Sequence, residues 1–517
     1  MARKSGRRWG RARTRFEMMT VALLLTTPSG AGAQAVIGGE WRDDVAAFAQ
    51  RVVEAGLTPG MGLAVAVGDR VAWAEGFGSA DLAAARAVTP RTPFYIASST
   101  KSLTATAVVL AAHAGDVDLD SPMTRYLPEA RLPSGIDASS IRVRDLLTLT
   151  HGLSGSGPIV LRTAFTGEFT RAELLELLRY HEPTGEQGEF SYNNLGYNLL
   201  GMVLEAVYDE SWKDVVDRLV LEPLGMRSTT AYRSRLSDDH LALPHELLPE
   251  GFARLPTTKR DANLHAAGGH FATAEDLARY LAAHQSGGRL EGRPVLPEAP
   301  LRSTHRVHVE QDRTFGPFHR HGWGFGWDIG TYDGDTLAHR FGGFSGYRSH
   351  MSFMPEHELG VVVLVNGDGS ASPAADLVAT YAYDRLLGKP NLDEQYRERL
   401  DDLVTDAGEA RTGIAEHLAE RAARRAPLAH PLEAYAGIYE SPRLGRMEWR
   451  VVAGGLEMWM GVLRSRAEVF DAPENRLRVE IAGSGRVVAF RFEGDGPARS
   501  VTLLGTGAEF VRVNDPQ

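Results

Sequence analysis

The order of hydrophobic and polar positions predicts a sheet built from two distant parts of the chain. Hydrophobic and polar residues alternate along 61–75 on both sides of a Gly68-Asp69 turn, a pattern typical of a β-hairpin. Alternation returns within 323–366 and predicts further strands. Helical spacing of hydrophobic residues occurs at 98–114, 171–180, 194–208, 211–219 and 274–286. Strands at both ends of a segment, around a helical block, predict an α+β fold.

The chain changes character after residue 390. Residues 391–430 are rich in Glu, Arg, Asp and Ala and predict a charged helical linker. After Pro431, short alternating segments are separated by glycine-containing turns, which predicts a small β-barrel or sandwich over 431–517. The remaining domain, which carries the candidate chemistry, is expected at 36–390.

Residues 1–35 have the layout of a secretory signal peptide. Seven basic side chains precede an apolar run from Met18 to Leu25, and small residues flank possible cleavage positions after Ala33 and Ala35. The apolar run is too short to span a bilayer. We therefore expect a secreted or periplasmic bacterial protein whose mature chain has no integral membrane segment.

Composition excludes several classes of function. Removal of the leader takes away seven basic residues and one acidic residue, which lowers the formal net charge from −10 to −16, and an acidic protein of this kind repels nucleic acid. The 517 residues include no cysteine, which excludes disulfides, thiolate metal sites and a cysteine nucleophile. Four histidines cluster in sequence, but their spacing matches no zinc motif: His305, His308, His319 and His321. No metal or other cofactor is predicted, and the oligomeric state stays open.

Ser98 and Lys101 form the sharpest chemical signal, because they stand three residues apart where an apolar helix is predicted to begin. A serine at a helix start lies near unpaired backbone N–H groups and the positive end of the helix dipole. A lysine one turn along the same face can approach the serine oxygen. Partial removal from water lowers a lysine pKa and allows it to accept the serine proton. The alternative is a capping serine beside an exposed lysine.

Tyr192 and Asn194 form a second candidate pair, immediately before a helical pattern. A phenol beside an ammonium group can relay a proton. An asparagine two residues further on can point the same way in extended backbone and hold a substrate amide. The alternative is a turn, which asparagines favour.

Arg340, Gly342 and Gly343 form a third candidate element, before the strand pattern that ends at Met354. An arginine at a strand edge can hold a substrate carboxylate, and glycines let another backbone approach closely. A free backbone N–H there can complete an oxyanion hole. The alternative is a solvated arginine and a glycine bulge.

These elements, in this order, resemble the serine β-lactamase and penicillin-binding-protein superfamily, in particular class C β-lactamases, D-Ala-D-Ala carboxypeptidases, D-aminopeptidases and related esterases. FYIASSTKSLTA contains the Ser-x-x-Lys motif, Tyr192-x-Asn194 matches Tyr-x-Asn, and AAGGHFATAEDLARYL and FGGFSGYRSHMSFMPEHELGVVVLVNGD extend the similarity over about 40–388. The resemblance implies a five-stranded antiparallel sheet flanked by helices, with a helical subdomain across the cleft. From about Tyr435, YAGIYESP and EFVRV resemble a lipocalin-like β-barrel.

The resemblance implies roles for the candidate residues. Ser98 is the expected nucleophile, Lys101 and Tyr192 move protons, and the N–H groups of Ser98 and Gly343 hold the oxyanion. Asn194, Arg340, Gly342 and Gly343 are the expected substrate-binding residues. Arg340 departs from the family pattern, which has lysine or histidine there, and this departure concerns the substrate class more than the mechanism. His339 is its neighbour, but a strand directs it to the opposite face.

The expected function is hydrolysis of an amide or ester, such as a D-amino-acid peptide, an ester or a β-lactam, through an acyl-enzyme on Ser98. The partner is then a small molecule or short peptide. A true β-lactamase or a penicillin-binding carboxypeptidase is one alternative. A catalytically silent binding or sensor protein that keeps the cleft is another.

The leader generates the first testable prediction. Exported protein should begin near Gln34 or Val36, because the small-residue sites there fit signal-peptide cleavage. N-terminal sequencing of exported material checks this. Exported protein that still begins at Met1 would contradict the assignment.

Overall fold

The structure is a computed structural model of the chain, and it describes residues 39–155, 157–167, 169–256, 259–424, 427–481 and 484–513. The expected leader at 1–35 lies outside these residues and stays a prediction. No helix within the described ranges is long and apolar enough to cross a membrane.

A nine-stranded antiparallel sheet forms the centre of the first domain, in the order β10-β11-β12-β13-β14-β15-β1-β2-β3. Its strands are β1 Gly60–Val67, β2 Arg70–Asp81, β3 Arg86–Ala87, β10 Val309–Phe315, β11 Phe318–Trp323, β12 Asp328–Tyr332, β13 Asp335–Phe344, β14 Tyr347–Met354 and β15 Leu359–Val365. Three two-stranded ribbons accompany it: β4 Phe94–Tyr95 with β7 Phe271–Ala272, β5 His245–Leu248 with β6 Gly251–Arg254, and β8 Arg289–Leu290 with β9 Arg293–Pro294. The expected α+β fold is confirmed. The sheet exceeds the five expected strands because short strands and hairpins extend both of its edges.

The helices of the described ranges are α1 Glu40–Glu54, α2 Thr100–Ala114, α3 Val143–Thr148, α4 Pro158–Leu161, α5 Arg171–Leu177, α6 Leu195–Tyr208, α7 Trp212–Val216, α8 Glu222–Leu224, α9 Ala274–Gln285, α10 Glu298–Thr304, α11 Ala371–Leu386, α12 Leu392–Ala423 and α13 Leu432–Tyr435. Short 3₁₀ turns occur at Ala97–Ser99, Met123–Arg125, Ala138–Ser140, Leu178–Tyr180, Arg233–Arg235 and Asp261–Asn263, and single π turns at Arg162–Thr166 and Asp217–Leu221. The helices expected from the hydrophobic spacing are therefore present, with ends shifted by one to a few residues.

Two hydrophobic cores lie on opposite faces of the sheet, and the central strands contribute to both. Ala64 of β1 and Val362 of β15 pack in the core shared with the helical block. Their neighbours Leu63 and Val361 pack in the other core, against α1, α11 and the start of α12. Successive strand residues point to opposite faces, so a strand covered on both sides is hydrophobic throughout. This explains the unbroken run LGVVVLV in β15.

The C-terminal part consists of the long helix α12 and a second nine-stranded antiparallel sheet. The order is β19-β18-β17-β16-β24-β23-β22-β21-β20. These strands are β16 Gly437–Ser441, β17 Gly445–Val452, β18 Gly455–Met460, β19 Leu463–Arg466, β20 Glu468–Asp471, β21 Arg476–Ile481, β22 Ser484–Arg491, β23 Ser500–Leu503 and β24 Ala508–Val513. The Glu480 N–H of β21 donates to Ser465 Oγ of the edge strand β19 at 2.7 Å, so the two sides of the sheet meet and form a nearly closed barrel. The expected barrel is present, and the exact domain boundaries stay a prediction.

The barrel packs against the first domain at the π turn Arg162–Thr166. The Val462 N–H, in the turn between β18 and β19, donates to Thr166 O at 2.9 Å. Phe165 packs against the barrel's hydrophobic core. Within the C-terminal part, Arg421 of α12 forms a bidentate ion pair with Glu468 of the barrel, with N–O distances of 3.0 and 2.6 Å. The barrel is therefore held close to the helical block that faces the sheet.

Candidate active site

The candidate nucleophile Ser98 lies in the turn between β4 and α2. The preceding residue, Ala97, has φ of 44°, a left-handed conformation that costs energy for a residue with a Cβ atom. This turn brings Ser98 to the start of α2 while Lys101 lies one turn further on the same side. Lys101 Nζ donates to Ser98 Oγ at 3.3 Å and to Ala267 O at 2.9 Å. The structure therefore brings the first expected pair together.

Lys101 is fully buried, which removes its ammonium group from water. Burial lowers its pKa to about 8, aided by the positive charge of Arg340 and opposed by Tyr192. Asn194, directly before α6, accepts a third hydrogen bond from Lys101 Nζ through Oδ1 at 2.6 Å. Its Nδ2 atom is the end of the amide that can donate to a substrate carbonyl.

Tyr192 completes a compact group with Ser98 and Lys101. Lys101 Nζ lies 5.0 Å from the centroid of the Tyr192 ring. Burial by itself raises the pKa of the phenol, but the charges of Arg340 and Lys101 and a hydrogen bond with Ser98 outweigh it and lower the pKa to about 8. Two groups that can exchange protons near neutral pH therefore lie beside one hydroxyl, as a proton relay requires.

Arg340 is buried, with 4% of its surface exposed, and it contacts Tyr192 directly. One guanidinium nitrogen, Nη2, donates to the Tyr192 hydroxyl at 2.9 Å, and the other, Nη1, donates to Asp328 Oδ2 at 3.0 Å. Nε and Nη2 also donate to Phe341 O, at 3.3 and 3.1 Å. The fork is therefore directed at protein groups, and the expected grip on a substrate carboxylate stays a prediction. His339 lies on the opposite face, as expected, where it packs against Phe318 and Phe341.

Asp328 is a buried residue of the site that the sequence reasoning did not identify. It accepts the hydrogen bond from Arg340, and Gln311 Nε2 donates to its other carboxylate oxygen at 3.1 Å. Arg320 and Arg313 lie within 3.7 Å of the same carboxylate. The sequence does contain a signal for it, a single aspartate in the apolar run WGFGWDIG. Such a run predicts a buried carboxylate, and a buried carboxylate requires a cationic partner. Asp328 keeps the Arg340 side chain in place beside Tyr192.

Gly342 explains how the strand β13 can approach the nucleophile turn. A Cβ atom at this position would lie 2.0 Å from Ile96 O, so only glycine permits the contact. Two serines that the sequence did not single out stabilise this contact between β13 and the turn before α2. Ser349 Oγ donates to Ile96 O at 2.9 Å, and Ser99 Oγ donates to Arg340 O at 3.2 Å. The neighbouring Gly343 is exposed, and a Cβ atom there would lie 3.4 Å from the Arg348 side chain.

A second serine constellation lies on the opposite face of the sheet. His350 Nδ1 is 2.8 Å from Asp376 Oδ1, and His350 Nε2 is 2.7 Å from Ser352 Oγ. These distances fit a Ser-His-Asp triad. Ser352 is, however, 0% exposed and also contacts the hydroxyl of Tyr383. Since no substrate reaches a fully buried hydroxyl, this network stabilises the packing of β14 on α11.

The clustered histidines do not converge on a common point. His305 packs against His284 and Phe353. His308 stacks on Phe325, and His319 is paired with Asp312 at the surface. Among the residues that the structure describes, no group of three or more His, Asp or Glu side chains is suited to hold a metal ion.

Comparison with known proteins gives a family match. The sequence model of the family described as Beta-lactamase matches residues 45–384. "Protein flp" of Staphylococcus aureus (strain MW2) is 24% identical over 320 residues, which cover 61% of this chain and 61% of that protein. The chain therefore spans less than two thirds of the length of this relative.

Two solved structures share the fold. The octameric penicillin-binding protein homologue from Pyrococcus abyssi has a TM-score of 0.58 and 22% identity, covering 91% of this chain and 100% of the other. The D-amino acid amidase from Ochrobactrum anthropi SV3, complexed with L-phenylalanine amide, has a TM-score of 0.56 and 23% identity, covering 69% of this chain and 99% of the other. The first of these likenesses extends over most of the chain.

The contact between Arg340 and Tyr192 generates the second prediction. Arg340→Gln removes a cation that lowers the pKa values of Tyr192 and Lys101, so both should rise. If the deprotonated pair is the reactive form, the midpoint for covalent labelling of Ser98 by a fluorophosphonate should move to higher pH by roughly one pH unit or more. Labelling rates measured between pH 5 and about 10 check this.

Arg340→Lys is the matched control, because it retains the charge and should leave the midpoint close to that of the wild type. An unchanged midpoint in Arg340→Gln, together with weaker binding of carboxylate-bearing compounds only, would contradict the role assigned to Arg340 and support a carboxylate grip instead.

Proposed function

Because the chain belongs to the β-lactamase family of serine hydrolases, we propose that it hydrolyses amides or esters through an acyl-enzyme on Ser98. The observation that carries this proposal is the contact of Lys101 Nζ with Ser98 Oγ, at 3.3 Å, beside Tyr192. Lys101 and Tyr192 are the proposed proton-transfer groups.

In the proposed mechanism, Ser98 Oγ attacks the substrate carbonyl carbon and its proton passes to the Lys101–Tyr192 pair. The negative oxygen of the tetrahedral intermediate accepts hydrogen bonds from the backbone N–H groups of Ser98 and Gly343. The same pair returns the proton to the leaving group when its bond to the carbonyl carbon breaks. Water then attacks the ester on Ser98 and releases the acid. Asn194 positions the substrate, and Arg340 keeps Tyr192 acidic.

The proposed substrates carry an amide, an ester or a β-lactam, and D-amino-acid peptides are included. The D-amino acid amidase and the penicillin-binding protein homologue that share the fold support this range. A β-lactamase and a penicillin-binding carboxypeptidase use the same acylation and differ in how fast water releases the acyl group. We also propose export of the enzyme, on the basis of the leader at 1–35.

The third prediction concerns the nucleophile. Ser98→Ala should lower turnover by roughly 10⁴-fold or more and abolish labelling by a fluorophosphonate or fluorescent penicillin, because it removes the serine hydroxyl that Lys101 Nζ contacts at 3.3 Å. Turnover is measured on nitrocefin, p-nitrophenyl esters, D-aminoacyl amides and D-Ala-D-Ala peptides. The panel ranks the substrate classes in the same experiment.

Ser352→Ala is the matched control, since it removes the serine of the buried constellation and should retain labelling. A Ser98→Ala protein that keeps full turnover would remove the proposal. A folded wild-type protein that neither turns over the panel nor becomes labelled would support the silent binding protein instead.

A further inference from the structure

A cavity of about 470 Å³ lies where the first domain, α12 and the barrel meet. The first domain contributes Phe344 and Tyr347, at the end of β13 and the start of β14, and the buried Lys259. The barrel contributes Leu463 and Arg464 of β19. None of the residues proposed above for acyl transfer lines this cavity.

Lys259 is an unusual lining residue, because its amine is buried without an acidic partner. Its surface is 3% exposed, and Nζ donates to Ala164 O at 2.6 Å. In the described part of the chain, no carboxylate oxygen lies within 4.0 Å of Lys259 Nζ, which is the distance limit for an ion pair. Nζ lies 4.0 Å from the centroid of the Phe344 ring and 5.2 Å from that of Tyr95. Burial lowers its pKa to about 7. Such an amine has donors that a bound anion can use.

The other cations of the cavity are already compensated or exposed. Arg421 is paired with Glu468, and Arg478 with Glu480. Arg464 is exposed and lies over the ring of Trp459. Apart from the exposed Arg464, two charged side chains that line the cavity, Lys259 and Glu246, have no ion-pair partner among the described residues, and of these Lys259 is the cation.

Strand β13 runs from the site to the cavity, which Phe344 lines. Residues 340, 342 and 344 share one face of this strand, since side chains alternate. Arg340 contacts Tyr192, Gly342 abuts Ile96, and Phe344 is about 7 Å further along. Phe344 also packs edge-on against Tyr95, three residues before Ser98, with ring centroids 5.4 Å apart. The cavity therefore lies at the opposite end of the site from the proton-transfer groups.

These positions along β13 indicate where the leaving group and the acyl portion of a substrate lie. The leaving group must be next to the group that returns its proton, at the Arg340 end of the strand. The acyl portion then extends past Gly343 toward Phe344 and the cavity.

We propose that this cavity binds the acyl portion of the substrate and that Lys259 selects acyl groups with an apolar body and a terminal carboxylate. The proposal rests on acyl-enzyme formation at Ser98. The aromatic side chains pack against the body of the acyl group, and the carboxylate provides the anion that Lys259 lacks. The barrel contributes a wall of the cavity, and in this way the C-terminal part takes part in choosing the substrate.

The test compares p-nitrophenyl esters in matched pairs. Each pair consists of a straight-chain acyl group that ends in a carboxylate and a neutral one of equal length, over a series of lengths. The wild type should prefer the carboxylate at one or two lengths. Lys259→Met keeps the bulk of the side chain and should lower the ratio of kcat/KM values, carboxylate to neutral, by roughly tenfold or more. Lys259→Arg should retain a ratio above that of Lys259→Met, because the charge is kept.

Fluorophosphonate labelling separates failure of this inference from failure of the proposed function. A wild type and a Lys259→Met variant that are both labelled at Ser98, but that show equal ratios, would overturn the role of Lys259 and leave the acyl-enzyme intact. Absence of labelling in the wild type would remove both. If Lys259→Met does not fold, competitive inhibition of the wild type by the free dicarboxylic acids is measured instead. Inhibition stronger than that by neutral acid amides of equal length supports the inference, and equal inhibition contradicts it.

Discussion

Burial of an unequal number of positive and negative charges is the constraint on which this site depends. Lys101, Arg340 and Arg320 lie in the interior beside one carboxylate, that of Asp328, and one phenol, that of Tyr192. Removing charge from water is costly unless it is balanced by an opposite charge. Loss of a proton from Lys101 or Tyr192 lowers the excess of positive charge in this buried group. The same arrangement therefore supports the proposed role of the Lys101–Tyr192 pair as the base next to Ser98.

The arginine at position 340 fits this account better as part of the proton network than as a substrate ligand. Its planar fork serves two partners at once, with one nitrogen on Asp328 and one on Tyr192. A lysine at this position would offer a point charge but not two divergent donors in one plane. Because arginine stays protonated, it lowers the pKa of Tyr192 without exchanging protons itself. The proposed proton transfer is then left to Lys101 and Tyr192.

The two serine constellations show why local geometry alone does not identify an active site. Ser352, His350 and Asp376 have the distances of a triad, yet the serine is sealed between β14 and α11. Ser98 is partly exposed at the start of a helix, where the cleft begins. Access to substrate decides between them. The proposed acyl cavity around Lys259 is lined by Phe344 of β13 and by Leu463 and Arg464 of the barrel.

The sequence by itself determined where most helices and strands form and which side chains lie nearest to Ser98. The spacing of Ser98 and Lys101 requires only one turn of helix, and helical geometry is local. Strand alternation likewise directed His339 away from the site. The partners of Arg340 were decided by the tertiary structure, because Asp328 and Tyr192 lie on other elements, 12 and 148 residues away in sequence. The cavity around Lys259 also depends on how the barrel packs on Thr166, a contact between residues about 300 positions apart. Pairings at such separations follow from the packing of whole elements, which no periodicity within one segment encodes.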